Sequence, residues 1–378
     1  MGRKIKILHI QETIGSGGVE RRRLSMAKHL DKFIFDQKFI CTYAYGNIPD
    51  EISAEGYEVL PIGQLKSPLH WSQHRKVQKI IQEYQPDIIH GAVFEGVTLA
   101  AINGWLKKVP VVIIEETSFP VNRTWKGNLL MKLFSMISHK VIGVSQAATD
   151  EYLKGELKLS DKKVILVNNG VAQPRQVSEV ELHEEKKRWG IEDYDFVIGS
   201  IGRMVSDANK RFSDLIRAFA DFARNKKDVK LLLIGEGPKK FGYEKLVKDL
   251  GICNKVIFTG YQSDVSLFYQ MMDVFALVSR NESFGLVLAE AMLNKLPVIA
   301  TKVGGMKYIV EDRKTGFLVP VYDVQQIAEK LEVLFADKTT RLKMGRYGYE
   351  KALKEFTEER YVKIISNLYK QLNNTNQL

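Results

Sequence analysis

Cysteine is nearly absent: the 378 residues hold two, Cys41 and Cys253, far apart and each beside apolar neighbours. Two such thiols make no disulfide framework or cysteine metal site, and the expectation is two small, buried, reduced core residues in a cytosolic protein. Long apolar runs are missing too. No stretch approaches the roughly 18 residues of a membrane span. The basic start Arg3-Lys4-Ile5-Lys6 leads into an apolar stretch, Ile5 to Ile10, that contains His9 and is too short for a signal-peptide core. Without secretion, the sequons at Asn122, Asn281 and Asn373 carry no weight. The sequence shows no internal repeat, no low-complexity segment beyond Asn373-Asn374-Thr375-Asn376-Gln377, and no acidic metal cluster; its only Asp-x-Asp is Asp193-Tyr194-Asp195. A dinucleotide fingerprint fails because the third glycine of G-x-G-x-x-G is missing after Gly15 and Gly17.

What is present is the composition of a folded protein, 45% hydrophobic and 27% charged, in a length that suits two α/β domains. The net charge of +11 favours an anionic partner without choosing among nucleic acid, a nucleotide ligand and an acidic membrane surface.

Short β-branched runs alternate with amphipathic helical stretches, the pattern of parallel sheets wound with helices. Strands are expected at 6–10, 38–42, 87–90, 111–115, 140–144 and 164–167, with helices at 20–30, 71–83 and 147–153 among them. The same order restarts with strands at 196–201, 230–234, 255–259, 274–277 and 298–300, and Thr315-Gly316-Phe317-Leu318-Val319 gives a short closing strand. Between the halves, Asn168-Asn169-Gly170-Val171 and a polar segment from Gln173 to Lys187 mark the expected domain junction. The domains are therefore expected at 1–172 and 173–356. A last amphipathic helix carries Tyr361, Ile364, Ile365 and Tyr369 on one stripe.

The chemistry-bearing residues follow strands. After the first strand, Gly15-Ser16-Gly17-Gly18 opens a helix, so that backbone amides at Gly17 and Gly18 can face an anion or a sugar. Arg21-Arg22-Arg23 adds positive charge there, the unfavourable sign for that end of the helix dipole. In the second half, Arg203 and Lys210 follow a strand, and two fixed cations there suit a diphosphate. The most specific feature is Glu282-Ser283-Phe284-Gly285-Leu286-Val287-Leu288-Ala289-Glu290. Glu282 falls in the loop, and Glu290 lies two turns into an otherwise apolar helix, where a carboxylate needs a hydrogen-bonding partner such as a pair of ligand hydroxyls. Val303-Gly304-Gly305-Met306 supplies a second glycine turn one strand later.

In order and spacing, the glycine loop at Gly15 to Gly18, Gly202-Arg203 with Lys210, the E-x7-E from Glu282 to Glu290, Val303-Gly304-Gly305 and Thr315-Gly316-Phe317-Leu318 resemble the retaining glycosyltransferases of family four. The resemblance covers nearly the whole chain. It implies the GT-B architecture, α/β with two Rossmann-like domains facing across a cleft, the final helix, 357–378, returning to the first. It also implies that the first domain holds the acceptor and the second most of a nucleotide diphosphate sugar. In that reading Arg203 and Lys210 bind the diphosphate and Glu290 holds the ribose hydroxyls. Glu282 and backbone amides near Phe284, Gly285 and Leu286 contact the transferred sugar. Many members place a histidine after the strand matching 111–114; here Glu116 stands in its place, and His90, ending the preceding strand, can approach the cleft. These two are the acceptor or sugar candidates.

The expected reaction moves a hexose or N-acetylhexosamine from a UDP-sugar, or a GDP-sugar, to a saccharide or lipid-linked acceptor, with no cofactor and no dedicated metal. Two other classes stay open. A nucleic-acid-binding protein calls for basic residues clustered with exposed aromatics, whereas these are scattered over many helices; a sugar-nucleotide epimerase of the same architecture has no need of the E-x7-E feature. Finally, Arg123, Trp125, Lys126, Leu129, Lys132 and Leu133 combine basic, aromatic and aliphatic residues in one segment. That suits either peripheral contact with anionic lipid on the inner face of the plasma membrane or a core helix with a solvated basic edge.

Overall fold

The computed structural model describes residues 3–15, 17–120 and 123–375. Ser16 of the glycine loop, the sequon residue Asn122 and the tail residues Asn376 and Gln377 lie outside the described residues. The chain divides into two compact units, Met1–Gly170 with Glu358–Leu378, and Val171–Thr357.

The first unit is a parallel sheet of β1 (Ile5–Ile14), β2 (Phe35–Ala44), β3 (Glu58–Pro61), β4 (Ile88–Ala92), β5 (Val111–Glu116), β6 (Lys140–Gly143) and β7 (Val164–Leu166), in the order β3-β2-β1-β4-β5-β6-β7. The order reverses between β1 and β4, which pair from Ile7↔Ile88 to Ile10↔Gly91. Such a sheet is apolar on both faces, and successive residues of β1 serve opposite sides. Ile7 packs with Met26 and the Tyr361, Ile365 and Tyr369 stripe, whereas Leu8 and Ile10 pack with Val77, Ile81 and Leu99. The last helix, Glu358–Thr375, thus completes the first unit's core.

The second unit is a parallel sheet of β8 (Phe196–Ile201), β9 (Val229–Ile234), β10 (Val256–Gly260), β11 (Val274–Leu277), β12 (Val298–Thr301) and β13 (Gly316–Val319), in the order β10-β9-β8-β11-β12-β13. Its reversal lies between β8 and β11, paired at Val274↔Ile198 and Phe275↔Gly199. In both sheets the loops at the carboxyl ends of the two strands flanking the reversal are where such folds bind ligands.

Several sequence expectations need correction. The polar segment expected to be junction contains helix Glu179–Arg188, whose N-terminus is capped by the Ser178 hydroxyl. The short β3 and the helix Val93–Leu106 were not foreseen. Cys41 is buried as expected, but Cys253 is exposed, because it falls in the turn Cys253–Lys255 ahead of β10. Among the described residues no helix is long and apolar enough to cross a membrane.

Candidate functional site

In the second unit the loops after β8 and β11 meet. The Lys210 ammonium, on the short helix Asp207–Lys210, lies 2.5 Å from Glu282 Oε2. The Arg280 amide donates to the Asn209 carbonyl, a second tie between the same loops. Arg203, just after β8, is exposed and makes no hydrogen bond or ion pair among the described residues. One cation thus projects to solvent beside a second that is held by a carboxylate.

Glycines fix the Glu282 loop in place. The Gly305 amide donates to the Glu282 carbonyl at 3.0 Å. A Cβ on Gly304 would run into that carbonyl, and one on Gly305 into the Ser283 carbonyl, so the turn after β12 is pressed onto the Glu282 backbone as no larger residue would allow. Gly285 caps the helix Leu286–Leu293 with φ at 101°, a left-handed conformation that favours glycine. The turn sends the Phe284 ring inward, edge-on to Phe356 at 5.5 Å between centroids, while Glu282 keeps a partly exposed side chain. Phe284 and Gly285 can therefore offer a ligand only backbone, at a helix end whose first amides have no intrahelical acceptor.

Glu290 is half-buried on that helix, and its carboxylate accepts a hydrogen bond from the Tyr269 hydroxyl at 2.7 Å. The partner that the apolar surroundings demand is thus supplied at least in part by the protein. Tyr269, fully buried, also reaches the Val287 carbonyl at 3.2 Å and so ties helix Ser266–Gln270 to the Glu290 helix. Nothing in the local sequence of Tyr269 signals this contact.

In the first unit the expected residues have different surroundings. The Glu20 carboxylate lies against Gly17 and accepts from the Thr13 hydroxyl at 2.8 Å, so the amino end of helix Gly18–His29 faces the chain's own anion. Two of the three arginines expected to add charge to that loop turn inward, and Arg21 stays exposed. Arg22 and Arg23 are buried and bind the two oxygens of Glu115 at 2.7 and 2.9 Å, and Arg22 also donates to Asn169. The buried Glu115 carboxylate offsets part of the positive charge that the helix dipole disfavours.

His90 is fully buried; its Nδ1 lies 2.6 Å from the Tyr369 hydroxyl and its Nε2 3.5 Å from Glu115. Burial, together with the nearby Arg23 charge, pushes its pKa down to about 4 and keeps the ring neutral. Burial alone would raise the Glu115 pKa, but Arg22 and Arg23 hold it well below the carboxylate range. Glu116 is buried as well, bound by Arg123 at 2.5 Å and by the Ser118 hydroxyl at 2.8 Å. Arg123 in turn donates to the Tyr152 hydroxyl at 2.7 Å. Neither His90 nor Glu116 offers a solvent-facing side chain in this arrangement.

Residues 182–351 match the family described as Glycosyl transferases group 1, and residues 16–173 match Glycosyltransferase Family 4. The chain is 32% identical over 232 residues to the N-acetyl-alpha-D-glucosaminyl L-malate synthase of Bacillus anthracis, covering 61% of this chain and 59% of that one. It is 32% identical over 176 residues to the lipopolysaccharide core biosynthesis glycosyltransferase LpsE of Rhizobium meliloti (strain 1021), covering 47% and 49% respectively. The chain therefore matches between 49% and 59% of the length of these two curated relatives. Its fold is similar to that of the HepE protein of Anabaena in complex with UDP, with a TM-score of 0.86 at 21% identity, over 97% of this chain and 100% of that one.

Proposed function

The chain belongs to glycosyltransferase family four, and from that premise we propose that it transfers a hexose or N-acetylhexosamine from a nucleotide diphosphate sugar, with retention of configuration, to a saccharide or lipid-linked acceptor. A UDP-sugar is the first choice of donor and a GDP-sugar the second. The UDP carried by the HepE structure supports that order. The role of LpsE in lipopolysaccharide core synthesis supports a cell-envelope acceptor.

The observation that carries the donor assignment is the Lys210 to Glu282 pair at the carboxyl ends of β8 and β11, with exposed Arg203 in the same β8 loop. A diphosphate entering there exchanges Glu282 for its own oxygens on Lys210, and Arg203 supplies the second charge. Positioned cations stabilise the negative charge that develops on the departing phosphate, the work that a divalent ion does elsewhere. Glu290, aimed by Tyr269, accepts from the ribose hydroxyls. Glu282, once released, accepts from hydroxyls of the sugar and positions it rather than attacking. The acceptor hydroxyl then approaches the face that the phosphate leaves and gives its proton to that phosphate.

The test is to incubate the protein with UDP-, GDP- and ADP-sugars, alone and with saccharide and lipid-linked acceptors. Nucleoside diphosphate release is measured together with the anomeric configuration of the product by NMR. Transfer from one nucleotide series with the anomer preserved is expected, and an inverted product contradicts the mechanism.

A further inference from the structure

Two carboxylates stand without partners where the strand order of the first unit reverses. Glu12 lies near the carboxyl end of β1, and Glu95 in the first turn of helix Val93–Leu106, which follows β4. By alternation Glu12 shares the face of Leu8 and Ile10, the face that this helix covers through Leu99 and Ala100. Gly96 brings the start of the helix onto β1, since a Cβ there would run into the Ile10 carbonyl and the Gln11 Cα. Glu95 is thereby held close enough to Glu12 for the two charges to repel. Both residues are half-buried, and among the described residues neither side chain makes a hydrogen bond or ion pair.

The surroundings are of one sign. Burial raises the Glu12 pKa, and the charges acting on it, those of Glu95 and Glu20, raise it further. Arg22 and Arg23, on the helix after β1, are taken up by Glu115. On the other face of β1, Gln11 is 1% exposed, and its amide donates to the Thr13 carbonyl at 2.6 Å, which directs the side chain towards the strand's carboxyl end. The Thr13 hydroxyl there holds the Glu20 carboxylate, and the Gln11 Oε1 has no partner among the described residues. The capacity left over at this strand end is that of hydrogen-bond acceptors.

We propose that Glu12 and Glu95 bind the protonated amine of an amino-sugar acceptor. That the ligand is a sugar rests on the glycosyl-transfer reading above; that it carries an ammonium follows from the residues here. An ammonium offers only donors, which match carboxylate oxygens, and its charge cancels the repulsion between the two acids. A neutral hydroxyl leaves both negative charges facing one another, and a phosphate or carboxylate on the acceptor adds a third. Among the described residues no group of three or more His, Cys, Asp or Glu side chains is placed to hold a metal ion, which favours an organic cation.

Saturation-transfer NMR titration of the full chain with glucosamine, N-acetylglucosamine and glucuronate decides it. Glucosamine is expected to bind at least about tenfold more tightly than N-acetylglucosamine, the order of one hydrogen-bonded charge, and glucuronate not detectably. Glu12→Gln and Glu95→Gln are each expected to remove the preference for the amine. The melting temperature of both variants is expected to be equal or higher, since each substitution relieves a like-charge contact. Absence of glucosamine binding, equal affinity for the amine and its acetamide, or an unchanged preference in both variants overturns the proposal. A lower melting temperature in both also overturns it, because the carboxylates would then be structural. Glucosamine binding without transfer from any nucleotide sugar removes the glycosyl-transfer reading and leaves the ammonium site standing; transfer to N-acetylglucosamine without glucosamine binding does the reverse.

Discussion

The ammonium of Lys210 sits 2.5 Å from Oε2 of Glu282, so the residue assigned to the donor diphosphate is paired with the residue assigned to the sugar. In the proposed exchange a phosphate that takes Lys210 displaces Glu282, and the two substitutions should separate. Lys210→Ala is expected to weaken binding of the donor's nucleoside diphosphate at least about tenfold, or about 1.4 kcal/mol. Glu282→Gln removes the competitor, leaving nucleoside diphosphate affinity equal or tighter while lowering kcat. Calorimetric titration beside turnover measurements checks this, and equal weakening of binding by both variants argues against the exchange.

Tyr269 donates a hydrogen bond to Glu290, and in the proposed donor site that hydroxyl contributes to binding rather than to bond breaking. Tyr269→Phe keeps the buried ring and removes that donor. A hydrogen bond to a charged group is worth about 1.5–3 kcal/mol, of which only the positioning share appears in binding. The donor KM is expected to rise roughly fivefold at unchanged kcat, the signature of interactions made equally in ground and transition states. A fall in kcat at constant KM contradicts the assignment.

Acid should unfold the first unit through His90. Its folded pKa is about 4, below the unfolded value near 6.5, so between these limits the unfolded chain binds a proton that the folded chain refuses. Stability is fully present above about pH 6.5 and is lost as the pH falls towards 4, by about 3 kcal/mol for this group. The buried His9, whose pKa is also lowered by burial, adds to the same trend. Urea unfolding followed between pH 7.5 and 4 is expected to show the decline, with a shallower slope in His90→Asn. An identical slope in that variant removes His90 from the explanation.

Because the leaving-group charge is assigned to Arg203 and Lys210, turnover is expected to persist in EDTA. Arg203→Ala is expected to lower kcat about a hundredfold or more, the order lost with one electrostatic donor. Complete loss of activity on chelation, restored by magnesium or manganese, contradicts the charge assignment.

The sheets were legible because parallel strands buried on both faces read as apolar runs, as Ile7-Leu8 and Leu231-Leu232-Leu233 do. β3 was missed because Glu58-Val59-Leu60-Pro61 is a short edge strand containing proline, and helix Val93–Leu106 because apolar residues surround it and leave no helical period. Glu282, Glu290 and the glycines around them were legible because their spacing is local. The pairing of Lys210 with Glu282 and of Tyr269 with Glu290 was not, since both join residues far apart in the chain. The partner of Arg22 and Arg23 was hidden for the same reason: the sequence shows positive charge of the sign the helix dipole disfavours, but not that Glu115 of β5 lies against two of the three arginines.

The most direct test of the donor site is titration of the wild type, Lys210→Ala and Glu290→Gln with UDP, GDP and ADP, by calorimetry, with each protein's melting temperature recorded. The expected result is that one nucleotide binds the wild type and that both variants, still folded, bind it at least about tenfold more weakly. Binding of all three proteins with equal affinity, or of none of the three nucleotides to the wild type, would contradict a nucleotide-sugar site built on Lys210 and Glu290.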